Sequence, residues 1–382
     1  MRVLEVLDSY YPKFDGPNLV ITSYANSFFK DNDVECEVAV PKYPKYKDNQ
    51  KFKVNRVRSI KGPEGYTVAL PNLDCKLKKY LKEKNFDIIH IHSPFTMCKF
   101  FTKYGKKHNI PTIFTFHTKF KEDFERKLKS KCLQNHMMRY ILKNINNADY
   151  VTSVSNGAAE CLKEYGYKKQ IDVIRNGTDL VYPENAEELI KEVNDKYNLN
   201  NQKNVFLSVG RIVENKKLQQ AIKALKIVKE KGYDFKYLIV GSGTYEQKLK
   251  DLVKENNLQD NVIFTGKIMD RKFLSGIYLR ADLFMLPSTF DTASLAPIEA
   301  AALKVPSLLN KGCSTAEIIT DNRNGFLAEE SEEAWAEKII EIINNNDLNL
   351  VKENAYKEVY KTWDSVALEV KAYYQNILQK RG

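Results

Sequence analysis

NVFLSVGRIVENKKLQQAIKALKIVKEKGYDFKYLIVG, residues 204–241, decides the fold. An apolar run, VFLSVG, opens it, a helical stretch, LQQAIKALKIVKEKG, fills the middle, and a second apolar run, YLIVG, closes it. Strand, helix, strand in this order makes the two strands parallel, because a helix of that length carries the chain back to the starting edge. The alternation continues through EQKLKDLVKEN, NVIFTG, ADLFMLP, IEAAAL and VPSLLN. The first half shows the same order with unrelated residues: RVLEVL, NLVITSYANSFF and CEVAV, then DIIHIH, FTMCKFFTKYGKK, PTIFTF, a long helical stretch, YVTSVS and DVIRNG. The reading is α/β, with two doubly wound parallel sheets.

Residues 1–182 are expected to form one domain and 204–360 a second, with the polar segment 183–203 as a linker and a helix over 361–382 packing back on the first domain. Doubly wound sheets bind ligands beyond the carboxyl ends of their strands, so two of them facing one another would form a deep cleft.

Composition narrows the function. The chain has 382 residues, 43% of them hydrophobic, enough for two cores. No run reaches the roughly 18 apolar residues of a membrane span, and the first residues lack a signal-peptide layout. Six scattered cysteines without a CxxC pair argue against zinc and against a disulfide framework. The expected location is the cytoplasm, with a peripheral position on the inner face of the cell membrane as an extension. His90 and His92 flank Ile91 on a predicted strand and share a face, which suits a pocket wall better than a metal site; no metal and no cofactor are expected. The net charge is +11, and residues 1–180 carry twelve more basic than acidic residues. Such asymmetry points to an anionic partner, either phosphorylated ligands or an anionic membrane surface. No recognisable nucleic-acid motif accompanies it, so nucleic acid is not expected.

The chemistry-bearing residues fall at strand ends. In SVGRIVENKK, Arg211 and Lys216 follow a buried strand, and a bidentate fork beside a point charge suits a diphosphate; a solvated basic loop is the plain alternative. VGSGT carries only a GxG, which a tight turn explains as well as a nucleotide does. Gly16 sits between a strand and a helix, with Asn18 available as a cap. PSTFDTASLAPIEAAAL, residues 287–303, leaves a strand, shows Asp291 and plants Glu299 eight positions on, inside a helix starting near Ser294 or Leu295. Small residues at Ala293, Ser294 and Ala296 leave backbone N–H groups open to an anion. An acid beside that seat repels phosphate but accepts from sugar hydroxyls. One acid for one sugar, another acid for a second sugar and phosphates between them describe a nucleotide sugar.

DGPNLVI, TFHTKF, SVSNGAAECLKEYGY, VIRNGTD, SVGRIVENKK, VGSGTYEQKLKDL, VIFTG, the Asp291–Glu299 stretch and VPSLL together resemble glycosyltransferase family 4, retaining enzymes of the GT-B fold with two Rossmann-like domains. HIHSPF and FHTKFKEDF resemble its diacylglycerol glucosyltransferase subgroup. The resemblance implies that Glu299 holds the ribose hydroxyls and Asp291 the donor sugar. Arg211, Lys216 and the backbone at Ser294, Leu295 and Ala296 would neutralise the leaving diphosphate. His117 would lie beside the donor sugar, Gly16 would bring backbone near the transferred group, and Thr265–Gly266 would border the base. His117, Asp291, Arg211 and Lys216 are thus the expected catalytic set, with no metal: DND at Asp31–Asp33 reads as a turn. The expected activity is transfer of a hexose from UDP-glucose to a lipid such as diacylglycerol. A soluble saccharide or protein acceptor, or a weakly active nucleotide-sugar-binding scaffold, is the alternative. Asp291 stands where the family usually has Glu, and Ala293–Ser294 where it has a bulkier residue followed by glycine. Between Lys119 and Lys143, eight basic and three acidic residues accompany an apolar stripe, the pattern of a helix that docks on anionic membrane; a stripe that covers the helix's own sheet, with the lysines in water, is the plain alternative.

Overall fold

The computed structural model describes residues 1–13, 15–31, 33–62 and 65–381. The chain divides into two units, residues 1–176 with 363–382, and residues 177–362.

In the second unit, β10 (Val205–Val209), β11 (Lys236–Val240), β12 (Val262–Gly266), β13 (Leu283–Leu286), β14 (Ser307–Asn310) and β15 (Phe326–Ala328) form one parallel sheet ordered β12-β11-β10-β13-β14-β15. The strands are near-continuous apolar runs because both faces are covered. Alternate residues serve opposite cores. Phe206, Tyr237, Ile239 and Met285 pack with Trp335 and Ile339 on one side. Leu207, Leu238, Val240 and Phe284 pack with Val193 and Tyr278 on the other.

Residues 183–203, expected to be a linker, contain the helix Ala186–Tyr197, which packs inside this unit against the helix Arg271–Arg280. The physical reason is amphipathic spacing: Ala186, Leu189 and Val193 recur every three or four residues and are buried. The unit boundary therefore lies before the polar segment, at 176–177.

The first unit holds β1 (Arg2–Val6), β2 (Glu35–Pro41), β3 (Lys53–Val57), β6 (Ile88–Ile91), β7 (Thr112–Phe116), β8 (Tyr150–Ser153) and β9 (Asp172–Val173) in one parallel sheet, ordered β3-β2-β1-β6-β7-β8-β9. A small hairpin of β4 (Ser59–Lys61) and β5 (Thr67–Ala69) stands apart from it. The helix Trp363–Gln379 belongs to this unit and packs on the helix Gly16–Phe29. It buries Trp363, Val366, Val370 and Tyr374. Ser27 Oγ donates to Asp364 Oδ1 at 2.6 Å. Lys371 Nζ donates to Asp31 at 2.7 Å and Asp33 at 2.9 Å, so the described acids of the DND turn tie down this helix. Asn32 lies outside the described residues.

Candidate functional site

Each sheet reverses its winding once, between β10 and β13 in the second unit and between β1 and β6 in the first. Crevices open at such points, outside the carboxyl ends of the strands.

In the second unit the loop leaving β10 carries Arg211 and Lys216, and the loop leaving β13 carries Asp291. Arg211 is exposed, whereas Lys216 is half-buried, and both line a small recess with Gly210, Ile239 and Leu286. Lys216 Nζ donates to Asp291 Oδ1 at 2.6 Å, with 17% and 18% of the side chains exposed. Asp291 Oδ2 is buried and has no hydrogen-bond partner among the described residues. A buried carboxylate oxygen without a donor costs the full desolvation of that atom.

The glycines of VGSGT serve backbone packing. Ile212 N donates to Ser242 O at 3.0 Å, and Gly241 N to Gly266 O at 2.9 Å, lacing together the loops after β10, β11 and β12. A Cβ on Gly243 would lie 2.1 Å from Ile212 O. Thr265 and Gly266 close β12 at the same edge, half-buried, with Gly266 at φ +72°.

The helix after β13 runs Ala296–Ala302, with Leu295 at its cap position and Pro297 in its first turn. The Ser294 N–H points at Thr315 Oγ1, 3.4 Å away, rather than standing open. Glu299 is buried and accepts at both oxygens. Tyr278 O–H donates to Oε2 at 2.9 Å, and Arg271 Nη1 donates to Oε1 at 3.1 Å. Arg271 also pairs with Asp179. Burial opposes the charge on Arg271, but Glu299 and Asp179 outweigh it and hold the guanidinium protonated. Sequence reasoning missed Arg271 and Tyr278. The signal available was weak: an acid inside the alanine-rich stretch IEAAAL needs a buried partner from elsewhere.

In the first unit, Gly16 opens the helix Gly16–Phe29, and a Cβ there would meet only open space. The cap is Asp15, which accepts from Asn18 N at 3.0 Å, not Asn18. The Asn18 side chain is instead buried and donates to Lys13 O.

His117 follows β7 and belongs to a buried polar network that the sequence did not announce. His92 Nδ1 lies 2.9 Å from His117 Nε2, and His92 Nε2 lies 2.7 Å from Glu5 Oε2. Tyr374 O–H donates to Glu5 Oε1 at 2.9 Å, and His90 Nδ1 lies 2.6 Å from the Tyr374 oxygen. Burial raises the Glu5 carboxyl, yet the His90 and His92 imidazoles outweigh it and hold the group at about 2. Burial lowers His92 to about 4 and pushes His117 well below an ordinary imidazole. Donor atoms of Glu5, His90 and His92 lie within 4.8 Å of one another. Tyr374, Thr115 and His117 already engage those atoms, so the cluster is a hydrogen-bonded network in its own right.

Comparison with known proteins bears on the family and the fold. Residues 16–182 match the family described as Glycosyltransferase Family 4, and residues 172–358 match Glycosyl transferases group 1. An alpha-monoglucosyldiacylglycerol synthase of Streptococcus pneumoniae is 27% identical over 256 residues, which is 66% of this chain and 58% of that protein. The match thus spans less than two thirds of that relative. An N-acetyl-alpha-D-glucosaminyl L-malate synthase of Bacillus anthracis is 25% identical over 327 residues, covering 82% of this chain and 80% of that protein. Among solved structures, the Anabaena protein HepE in complex with UDP superposes with a TM-score of 0.78 at 17% identity, over 98% of this chain and 100% of that one. The two family matches overlap at residues 172–182 and together cover residues 16–358. The chain belongs to the family 4 glycosyltransferases and has their GT-B fold.

Proposed function

We propose that this glycosyltransferase moves a glucosyl group from UDP-glucose to a lipid hydroxyl, diacylglycerol in the first instance, with retention of configuration and without a metal. The observation that carries the donor reading is the half-paired Asp291. Its Oδ1 is neutralised by Lys216, while Oδ2 is buried and lacks a donor among the described residues. A sugar hydroxyl supplies that donor, whereas a phosphate cannot. Arg211 and Lys216 beside it neutralise the departing diphosphate, and electrostatic stabilisation with orientation is the main contribution asked of the protein. Glu299, fixed by Arg271 and Tyr278, takes the ribose hydroxyls with its remaining lone pairs. Thr265 and Gly266 border the base. Leu295 and Ala296 offer backbone to the phosphates, and His117 and Gly16 serve the transferred sugar. HepE has also been solved with UDP-glucose, which favours that donor here.

The lipid acceptor rests on the first unit and on the Streptococcus pneumoniae relative. No helix among the described residues is long and apolar enough to cross a membrane. The helix Phe120–Lys127 buries none of its residues, and Leu133 on the following helix is 45% exposed. Aromatic and leucine side chains among surface lysines suit an anionic bilayer, each lysine near it contributing about 1 kcal/mol. The test is incubation with radiolabelled UDP-glucose, a metal chelator and diacylglycerol in neutral or anionic vesicles. Label in an α-linked glycolipid, with anionic vesicles preferred at low salt, is the expected result. Transfer to malate or free sugars instead would replace the lipid acceptor. No transfer or hydrolysis with any nucleotide sugar would leave a scaffold.

A further inference from the structure

Glu299 is held by two side chains of one helix. Arg271 and Tyr278 lie about two turns apart on Arg271–Arg280, so both reach the acid from the same helix face. An arginine facing a carboxylate commonly forks across both oxygens. Here Tyr278, 0% exposed, already donates to Oε2, and Asp179 accepts from Arg271 Nη2 as well. Arg271 turns both Nη1, at 3.1 Å, and Nη2, at 3.2 Å, on Oε1 alone. Burial, with Glu299 beside it, holds the Tyr278 hydroxyl protonated, so this donor is permanent. A carboxylate offers about four lone-pair positions. The arginine covers those on Oε1 and the tyrosine takes one on Oε2, which leaves a single position on Oε2. No other side-chain contact to Glu299 exists among the described residues. The acid is still within reach of a ligand, because 12% of its side chain is exposed. Every group named here belongs to residues 177–362.

We propose that Arg271 and Tyr278 are positioning residues that leave Glu299 one acceptor position, so that the acid reads one ribose hydroxyl and is indifferent to the other. This rests on the reading that Glu299 meets the ribose, and narrows that reading from two hydroxyls to one. The consequence is a specificity rule for the nucleotide. Of the two monodeoxy forms of UDP, one keeps its contact to Glu299 and the other loses it. Arg271 sets this limit more than Tyr278 does. It covers Oε1 with 44% of its own side chain exposed, whereas Tyr278 holds Oε2 from inside the core. Arg271→Lys keeps a positive charge beside Glu299 but replaces the two-pronged donor with a point charge. A position on Oε1 then opens to the second hydroxyl.

The test is calorimetry on the full chain with UDP, 2′-deoxy-UDP and 3′-deoxy-UDP. In the parent protein one analogue should bind within about twofold of UDP and the other roughly tenfold or more weaker, the loss of one charge-assisted hydrogen bond. In Arg271→Lys the analogue that the parent tolerates should fall several-fold behind UDP. Loosened packing does not produce that change of preference, since it weakens all three ligands alike. Comparable losses for both analogues in the parent overturn the one-hydroxyl rule while the ribose reading stands. No loss for either analogue overturns the ribose reading itself. An Arg271→Lys variant that binds UDP and tolerates the same analogue as the parent removes Arg271 from the role. If that variant does not fold, the two analogues on the parent protein still decide.

Discussion

Lys216 Nζ lies 2.6 Å from Asp291 Oδ1, joining the loop that leaves β10 to the loop that leaves β13 across the point where the sheet reverses its winding. On the proposed reading this pair divides the work, the lysine serving phosphate and the acid sugar hydroxyls. Removing the cation should therefore hurt nucleotide binding. Lys216→Ala, Arg211→Ala and Glu299→Ala each delete a charge-assisted contact worth about 1.5–3 kcal/mol, so UDP affinity by calorimetry should drop about ten- to hundredfold. Unchanged affinity in Glu299→Ala would remove the ribose from that acid.

Removing the acid should act differently. Asp291→Asn keeps the shape but frees Lys216 from its anionic partner. UDP should bind as well as before or more tightly, whereas glucosyl transfer should fall by about tenfold or more, the loss of one hydrogen bond made to the reacting sugar. Equal losses of UDP binding and transfer would show that Asp291 merely braces its loop.

The close approach of two loops is a further place to probe. A Cβ on Gly243 would lie 2.1 Å from Ile212 O, and backbone cannot move aside as a side chain can. Gly243→Ala is expected to cost about 2–4 kcal/mol in thermal or urea unfolding and to weaken UDP binding by displacing the Arg211 turn. A variant that melts with the parent would mean the loops can separate freely.

Acid should loosen the first unit in two stages. His92 takes its proton near pH 4 when folded, against 6.5 for a free imidazole, with burial the main cause, His90 adding to it and Glu5 opposing. The unfolded chain is protonated first, so stability falls as pH drops from 6.5 towards 4. His117 is lowered too and acts with the same sign. Glu5, held at about 2 against 4.5, contributes stability that is complete above 4.5 and lost towards 2. Tyr24 and Tyr374, which also face this cluster, are raised and stay uncharged throughout. Urea midpoints should fall between about pH 7 and about pH 5, and less steeply in His92→Gln. A flat profile in the parent would mean that these rings are hydrated.

Much of this was legible in the residues. Alternating strand and helix runs placed both sheets, and Arg211, Lys216 and Asp291 stood at strand ends that the fold brings side by side. What was not legible depended on distant partners. Arg271 opens an ordinary amphipathic helix, and its acid lies 28 residues further on. The polar look of residues 183–203 hid Leu189 and Val193, whose spacing buries one helix face. Glu5 inside RVLEV was the overlooked clue: a charge in an otherwise apolar buried strand demands partners, and these come from β6 and from a helix 369 residues away.

That distance has a consequence for biogenesis. Tyr374 supplies one of the donors on Glu5, and Trp363 closes over Tyr24, so the first unit takes its last core residues from the stretch of chain that follows the second in sequence. On the ribosome, residues 177–362 emerge as an uninterrupted set and can close their core at once. The unit begun earlier must wait, its Glu5 half-satisfied, until residues 363–381 leave the exit tunnel. The domain translated first is the one finished last, and during that interval it is the natural client for chaperones.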